Sequence, residues 1–283
     1  MAAQLKSGRA AGRSRPPTWL GSGRRLRLAG TFLKIGALNE LQYRVNFFLS
    51  LVQSVVAVST ALVVLALVFS HTDSLGGWSS DELLVIMGVY VLMGGLIRSV
   101  IQPNMQQLMT DVEEGTLDYI LTKPEDAQLL ISVRRFQIWQ AVDVFVGLAL
   151  VAVALVRLSD PLNVSSVLAF ALALVLGALD IYCFWLILTT GAFWVTRVDF
   201  IIELFDGMYQ AGRWPVTIYP TWLRIGFTFL VPLGFAVTVP ASALTGRLSG
   251  WLLLGALGFT AALMAFTRWF WRRGLKNYSG ASA

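Results

Sequence analysis

The sequence predicts an all-α, polytopic membrane protein with six transmembrane helices, an N-terminal interfacial helix, a short cytoplasmic helix and a re-entrant segment before the last span. Three observations lead to this fold class. Hydrophobic residues make up 56% of the 283 residues and charged residues only 13%, whereas about 25% of the residues in a typical soluble domain are charged. Long uncharged segments recur, and Lys and Arg concentrate near the two chain ends. This composition excludes a disordered chain, a coiled coil and an ordinary soluble enzyme.

Residues 1–44 form the first unit of the chain, a basic tail. They carry nine Lys and Arg residues and a single acid, Glu40. No apolar segment precedes Val45, which argues against a cleaved secretory signal. Apolar residues between Arg27 and Arg44 repeat at helical spacing. This pattern predicts either an interfacial helix before the first span or a helical extension of that span.

Six apolar segments follow in the second unit, the transmembrane domain at residues 45–271. A helix needs about 20 apolar residues to cross the roughly 30 Å hydrocarbon core of a bilayer. The segments are 45–70, 83–97, 136–156, 164–196, 225–246 and 248–267. The second is short, and it reaches sufficient length only if Arg98 lies in its last turn and extends to the headgroups. Asp143 and Asp180 lie inside the third and fourth segments.

The distribution of charge places both chain ends in the cytoplasm. The third unit is a short tail at 272–283, and the basic residues around its start are Arg268, Arg272, Arg273 and Lys276. The loop at 70–82 carries no Lys or Arg. Because basic segments are retained on the cytoplasmic side, an even number of spans with both ends inside agrees with this pattern.

The polar loop between the second and third spans predicts a short helix of its own. Gly115 interrupts the preceding helix, and Thr116 is suited to cap the next one. Pro124 ends it, because the residue before a proline avoids the α conformation. The residues that share one apolar face by their i, i+3, i+4 spacing are Leu117, Ile120 and Leu121. The result is a two-turn helix with an exposed apolar face, which predicts a docking site or, alternatively, a helix that packs on the membrane surface.

The same loop carries a resemblance to a known family. The segment EEGTLDYILTKP resembles the coupling-helix motif of ATP-binding-cassette (ABC) exporter permeases of the ABC-2 class. The residues that match the motif in position or type are Glu114, Gly115, Thr116, Leu117, Ile120, Leu121 and Pro124. The resemblance implies that this helix contacts an ATPase subunit.

Three further segments resemble the same family, so that the match covers about residues 35–280. They are GAFWVTRVDF after the fourth span, PVTIYPTWLRIGFTFLVPLGFAVTVPASALTGRL before the last span, and the ending RRGLKNYSGASA. The resemblance implies a fifth span at 198–215, followed by a re-entrant segment with Pro220, Pro232 and Pro240. Hydropathy alone instead places the fifth span at 225–246. Non-helical backbone at membrane depth is tolerated only inside protein, and three prolines fit a re-entrant segment.

The resemblance implies the membrane-spanning permease subunit of an ABC exporter in a bacterial plasma (inner) membrane. Its cargo is expected to be amphipathic or hydrophobic: a drug, a lipid, an antibiotic or a glycan-like molecule. The sequence has no G-x-x-x-x-G-K-[ST] motif, so ATP and Mg are expected on a separate ATPase subunit, and this chain is expected to bind no cofactor and to be no enzyme. Six spans are half of what the family uses, which implies a second permease chain, identical or related. Membrane lipids are expected partners, and nucleic acid is not.

Two other functions remain as alternatives. An ion-coupled secondary transporter would use Asp180, with Asp143 and Arg98 as further intramembrane candidates; in the simpler interpretation, Asp180 only bonds a neighbouring helix. No inverted repeat is visible between the halves, which argues against this transporter class. An intramembrane hydrolase would need Ser249 and the single His, His71, which lies in a polar loop. One Cys and one His leave no metal site of the usual kind.

Overall fold

The computed structural model describes residues 44–123, 125–158, 163–194 and 200–278. In chain order, its α-helices are α1 (Arg44–Phe69), α2 (Ser80–Leu96), α3 (Gln102–Glu113), α4 (Asp118–Leu121), α5 (Ala127–Ser132), α6 (Val142–Leu158), α7 (Val164–Thr190), α8 (Phe200–Ala211), α9 (Thr221–Ile225), α10 (Val239–Leu244) and α11 (Gly250–Asn277). Short 3₁₀ turns at Ile138–Ala141, Gly191–Phe193 and Val216–Ile218, and π-helical turns at Ile97–Ile101, Gly226–Leu230 and Gly234–Thr238, connect or extend them. The expected interfacial helix and Pro124 lie outside the described residues.

The chain is an all-α polytopic membrane protein. Among the described residues, five helical segments are long and apolar enough to cross a membrane: Phe47–Phe69, Ser80–Glu113, Ile138–Leu158, Val164–Phe193 and Gly250–Asn277. The helix Ser80–Glu113 is the most buried of the five and forms the centre of the bundle. We name the two ends of the bundle after residues near the two ends of this helix, the Glu82 end and the Asp111 end.

The central helix is longer than the sequence predicts. A π-helical turn at Ile97–Ile101 joins α2 to α3, so the helix continues for 34 residues. Pro103 lies in the first turn of α3, where its missing N–H is tolerated. Arg98 lies in the π-helical turn rather than in the last turn of the helix, and its Nη2 donates to Asp143 Oδ2 at 2.5 Å. Its extension to the headgroups stays a prediction. A π-helical turn inside an α-helix is frequent at functional sites.

Helices α2 and α6 pack backbone against backbone. A Cβ added at Gly95 would lie 2.6 Å from the Val144 backbone nitrogen, and one at Gly88 would lie 2.8 Å from that of Val151. On the facing helix, a Cβ at Gly147 would collide with the backbone of Leu92. Small residues permit this close approach in membranes, where packing rather than the hydrophobic effect drives helix association. The contact fixes α6 against the central helix.

The segment before α11 is a bent pair of helices rather than a straight span. Thr221–Leu230 and Gly234–Leu244 meet at 81°. On one side of the pair, Thr217 Oγ1 accepts from Trp78 Nε1 at 3.0 Å. On the other side, Arg247 donates to both carboxylate oxygens of Glu82, at 2.5 and 2.9 Å. Both sides of the pair are therefore held at the Glu82 end, which makes it a re-entrant hairpin.

Helix α8 leads the chain back between the two ends of the bundle. Ala192, just before α8, clusters with Met109 near the Asp111 end, whereas Thr217, after α8, reaches Trp78. Between them, the Tyr209 hydroxyl donates to the Tyr90 carbonyl at 2.7 Å. The return crossing thus precedes the hairpin, in agreement with the arrangement that the family resemblance implies. The interpretation of 225–246 as a straight fifth span is wrong, because the chain bends back near Pro232.

Candidate functional site

The polar loop begins with a helix-terminating turn built on Gly115. Gly115 has a φ of +70°, a conformation that glycine adopts without strain. The Thr116 N–H donates to the Asp111 carbonyl at 2.9 Å, and the Gly115 N–H donates to the Val112 carbonyl at 3.4 Å. These two bonds form a Schellman motif, which satisfies the last carbonyls of α3. The motif ends α3 and directs the chain into α4.

Helix α4 is a single turn, and Thr116 does not cap it. The N-cap position belongs to Leu117, without a side-chain cap. The Thr116 hydroxyl instead donates to Asp111 Oδ1 at 3.3 Å. The predicted cap and the predicted second turn are therefore wrong. The physical reason is the Gly115 turn, which places Thr116 back against the end of α3.

The apolar face of α4 is turned largely toward the protein. Leu117 is 0% exposed and Ile120 is buried, and both belong to the main hydrophobic core. Tyr119, in contrast, is 76% exposed, and Leu121 is also exposed. The prediction of an exposed face is therefore wrong for Leu117 and Ile120 and holds for Leu121. The exposed residues of the loop are Glu113, Glu114, Tyr119, Leu121, Thr122 and Lys123, which we call the loop surface.

Asp111 is the polar centre of this end of the bundle, and the sequence did not single it out. Its side chain is buried, at 5% exposure for the residue. Oδ1 accepts from Gln107 Nε2 at 2.7 Å and from the Thr116 hydroxyl, while Oδ2 accepts from Arg134 Nη2 at 2.6 Å. The carboxylate thereby joins α3, the Gly115 turn and the segment after α5. Nothing in the local pattern predicts a pair 23 residues apart.

A second polar link joins α5 to two spans. Asp126 caps α5 by accepting from the Gln128 N–H at 2.9 Å, and it forms an ion pair with Arg268 of α11. The hydrogen bond from Arg268 holds the pKa of Asp126 below its usual range. On the same helix, the Ser132 hydroxyl lies 2.7 Å from the Tyr182 hydroxyl of α7. A displacement of α5 would therefore reach α7 and α11 directly.

Two of the three intramembrane candidates meet in one site. Arg98 pairs with Asp143, and the Ser54 hydroxyl of α1 also donates to that carboxylate. A cavity of about 290 Å³ lies beside them between α1, α2 and α6. Its lining residues include Gln53, Tyr90 and Arg213. We call it the α1 cavity. It places the Arg98–Asp143 ion pair and Arg213 next to open space.

The third candidate, Asp180, does not line the α1 cavity. It is 0% exposed, and its carboxyl oxygens have no hydrogen-bond partner among the described residues. The nearby Thr260 hydroxyl of α11 is also without a partner there. Because a buried charge without a partner is costly, we expect the Asp180 carboxyl to be neutral. A neutral carboxyl beside Thr260 is equipped to join α7 to α11 by a hydrogen bond.

The prolines of the re-entrant segment, Ser249 and His71 lie at turns and helix ends. Pro220 precedes α9, Pro232 lies in the break of the hairpin, and Pro240 lies in the first turn of α10. Ser249 caps α11, with its hydroxyl accepting from the Leu252 N–H at 3.3 Å. His71 Nδ1 lies 2.8 Å from the hydroxyl of the adjacent Ser70, in an exposed turn. The described residues thus contain no Ser249–His71 contact that could support hydrolysis.

The fold and the site together define a polytopic helical membrane protein with a tethered polar loop and a cavity lined by charged groups. The family model described as ABC-2 family transporter protein matches residues 55–282, about four fifths of the chain. The chain therefore belongs to the ABC-2 transporter family, whose members are the membrane subunits of ABC transporters. This confirms the resemblance found in the sequence. A comparison with curated proteins finds no match.

Proposed function

We propose that this chain is the permease subunit of a bacterial ABC exporter. It moves an amphipathic or hydrophobic substrate outward and works with a second permease chain, identical or related. ATP and Mg bind to a separate ATPase subunit, which docks on the loop surface at Glu113–Lys123. This chain supplies the pathway and no catalytic group.

The observation that carries the proposal is that α4 has exposed side chains on its outer side and buried side chains that fix the same turn in the core. Tyr119 and Leu121 are exposed on the outer side of α4, while Leu117 and Ile120 anchor the same turn in the core. An exposed aromatic and an exposed leucine beside acidic and basic groups are typical of a docking surface. The Asp111–Arg134 ion pair holds the base of the loop. A docked ATPase would therefore move the loop as a unit.

The hydrogen bonds and ion pairs around the loop indicate which helices would move with it. Asp111 belongs to the central helix, so a push on α4 reaches α3 and, through the π-helical turn, α2. The Arg268–Asp126 pair and the Ser132–Tyr182 contact carry the motion of α5 to α11 and α7. In this mechanism, ATP-driven closure of the ATPase subunits rocks two six-helix halves between inward-open and outward-open states. Such switching requires discrete alternative packings rather than continuous deformation.

The orientation follows from charge. Lys123, Arg134 and Arg135 belong to the loop at the Asp111 end, together with the basic residues that end α11. By the positive-inside rule, the Asp111 end faces the cytoplasm. This orientation places the loop surface where an ATPase could bind and both chain ends in the cytoplasm of a bacterial cell, at its inner membrane.

Co-purification tests the docking surface. The permease is co-expressed with an ABC ATPase subunit from the same organism, and Tyr119→Asp is compared with wild type. We expect Tyr119→Asp to lose the ATPase and substrate-stimulated ATP hydrolysis, because an unpaired charge in a desolvated interface typically costs about 2–5 kcal/mol. Tyr119→Phe should retain both. Trp222→Asp, at an exposed aromatic residue of α9, is the matched control, and it should also retain the ATPase. Retention by Tyr119→Asp would refute docking at this surface.

Ion-coupled transport through Asp180 is the second candidate, supported by its buried carboxyl without a partner. The two functions differ in what Asp180→Asn should do. A neutral amide can still form a hydrogen bond to the nearby Thr260 hydroxyl but cannot carry a proton. Under the exporter proposal, Asp180→Asn keeps ATP-dependent transport in vesicles. Loss of transport with an intact bundle and retained ATP hydrolysis would favour ion coupling.

A further inference from the structure

The α1 cavity reaches from one end of the bundle to about half the depth of the membrane. Asp143 and Gln140, at the start of the third span, mark its part nearer the Asp111 end. Tyr90 lies ten residues after Ser80, which places it about 15 Å along the central helix and near the middle of a roughly 30 Å hydrocarbon core. The guanidinium carbon of Arg213 lies 5.6 Å from the centre of the Tyr90 ring. Arg213 therefore places a positive charge close to mid-membrane.

The two arginines that line the α1 cavity differ in their partners. Arg98 is paired with Asp143, and Asp206 of α8 is also close enough to interact electrostatically with Arg98. Arg213 has no such partner: across the described parts of the chain, no carboxylate lies within ion-pair distance of it. Of the two arginines in the lining, Arg213 is thus the one without an ion-pair partner among the described residues. A cation at membrane depth is costly unless an opposite charge, a dipole or water accompanies it.

The α1 cavity is open toward the surroundings of the bundle along helix α1. The residues with which α1 lines the cavity are Ser50, Gln53, Ser54, Ala57, Val58 and Ala61, and most are polar or small. Gln53 and Ala57 are exposed although they line the cavity, so the cavity opens to the surroundings of the bundle. The other faces of α1 carry large exposed apolar residues, among them Phe48, Val52 and Val63. A polar recess with an apolar rim fits a molecule with one polar end.

We propose that the α1 cavity binds the anionic headgroup of an amphipathic cargo, with Arg213 as its counter-charge. This inference rests on the proposed exporter function and adds the chemical class of the cargo. Gln53 and Gln140 are placed to donate hydrogen bonds to the headgroup oxygens, and the apolar part of the cargo lies along α1. A volume of about 290 Å³ is near the lower end of the range of small-molecule sites, roughly 300–1,000 Å³. That space suits a headgroup, and the chains of the cargo stay in the lipid.

Binding of a labelled lipid tests the proposal on the purified full-length permease in detergent. The probes are fluorescent phosphatidylglycerol, which is anionic, and the same label on zwitterionic phosphatidylcholine. We expect wild type to prefer phosphatidylglycerol. Arg213→Gln should weaken phosphatidylglycerol binding at least about tenfold, because charge-assisted hydrogen bonds are roughly twice as strong as neutral ones. The same variant should leave phosphatidylcholine binding unchanged. Arg273→Gln, at an exposed arginine of α11 that does not line the α1 cavity, is the matched control and should bind like wild type.

A second variant tests the width of the α1 cavity separately from its charges. Ala57→Leu keeps every charge and narrows the α1 cavity, and it should also weaken phosphatidylglycerol binding. Equal binding by wild type and Arg213→Gln would overturn the proposal, as would full displacement of the lipid by excess inorganic phosphate, which would indicate a site for a free anion. Arg213→Gln should still co-purify with the ATPase. Failure of lipid binding alone therefore leaves the exporter function standing, whereas loss of the ATPase from wild type would remove that function.

Discussion

Replacement of Asp111 by Asn should loosen the loop while its shape is kept. Asn retains an acceptor for Gln107 and Thr116 but removes the negative charge that faces Arg134 at 2.6 Å. Breaking a buried ion pair by removing one partner typically costs about 3–5 kcal/mol. The Arg134 side chain retains 20% exposure, so water compensates part of this loss, and we expect about 2–3 kcal/mol. That amount corresponds to roughly a 30- to 150-fold rise in the population with an opened loop.

Alkylation of a buried position measures that opening. Leu117→Cys, in a Cys183→Ala background, places a thiol at a site that is closed in the folded loop, since Leu117 is fully buried. When opening is fast and reversible, the rate of alkylation follows the opened fraction. We therefore expect the rate to rise roughly 30- to 150-fold on adding Asp111→Asn. Asp118→Asn is the matched control and should change the rate little, because no hydrogen bond of its carboxylate supports the loop. A rise no larger than that of the control would refute the role assigned to Asp111.

Three further predictions concern packing, charge and topology. Gly147→Val should destabilise the bundle by at least about 1–3 kcal/mol, because its Cβ meets the Leu92 backbone. Gly258→Val, with open space at its Cβ position, should not. Equal thermal unfolding midpoints for the two variants would contradict the α2–α6 contact. Asp126→Asn should lower the thermal unfolding midpoint slightly at neutral pH. The difference in midpoint between wild type and variant should vanish as the pH falls through the lowered pKa of Asp126, since a carboxyl with a depressed pKa stabilises the fold only above that range. A difference that persists in acid would rule out the ion pair as its cause. Pro220→Cys in the Cys183→Ala background should react with an impermeant maleimide from outside the cell and Tyr119→Cys only from inside, and the reverse pattern would invert the topology.

Much of the fold follows from the sequence because long uncharged segments have few alternatives in a membrane. The first, third and fourth spans agree with the helices within a few residues, and the last begins where it was predicted but continues ten residues further, to Asn277. The central helix is the exception: its polar second half after Ile97 contains Pro103, yet it continues as helix through the π-helical turn with several of its residues buried in the bundle. The hairpin was predictable from its three prolines together with the family resemblance. Hydropathy failed there because an apolar hairpin and an apolar span have the same composition.

The site was less predictable because its contacts join distant parts of the chain. Periodicity identified the apolar face of the loop helix, but it could not tell whether that face meets solvent or the core, and Leu117 proved buried. Arg98 and Asp143 were recognised as costly charges at membrane depth, yet their pairing across 45 residues needed the structure. Asp111 and Arg134 were missed, since an acid and an arginine in a polar loop look like ordinary surface charges. The Schellman turn at Gly115 decided where Thr116 points.

Site-specific photo-crosslinking can detect an ATPase docked on the loop surface. A photoreactive phenylalanine analogue replaces Tyr119 in one variant and Trp222 in another, both in cells that express the ABC ATPase subunit. We predict a covalent product with the ATPase from position 119 and none from position 222, because the two lie at opposite ends of the bundle. If transport continues while position 119 yields no product with the ATPase, or position 222 yields one, docking on the loop surface is contradicted.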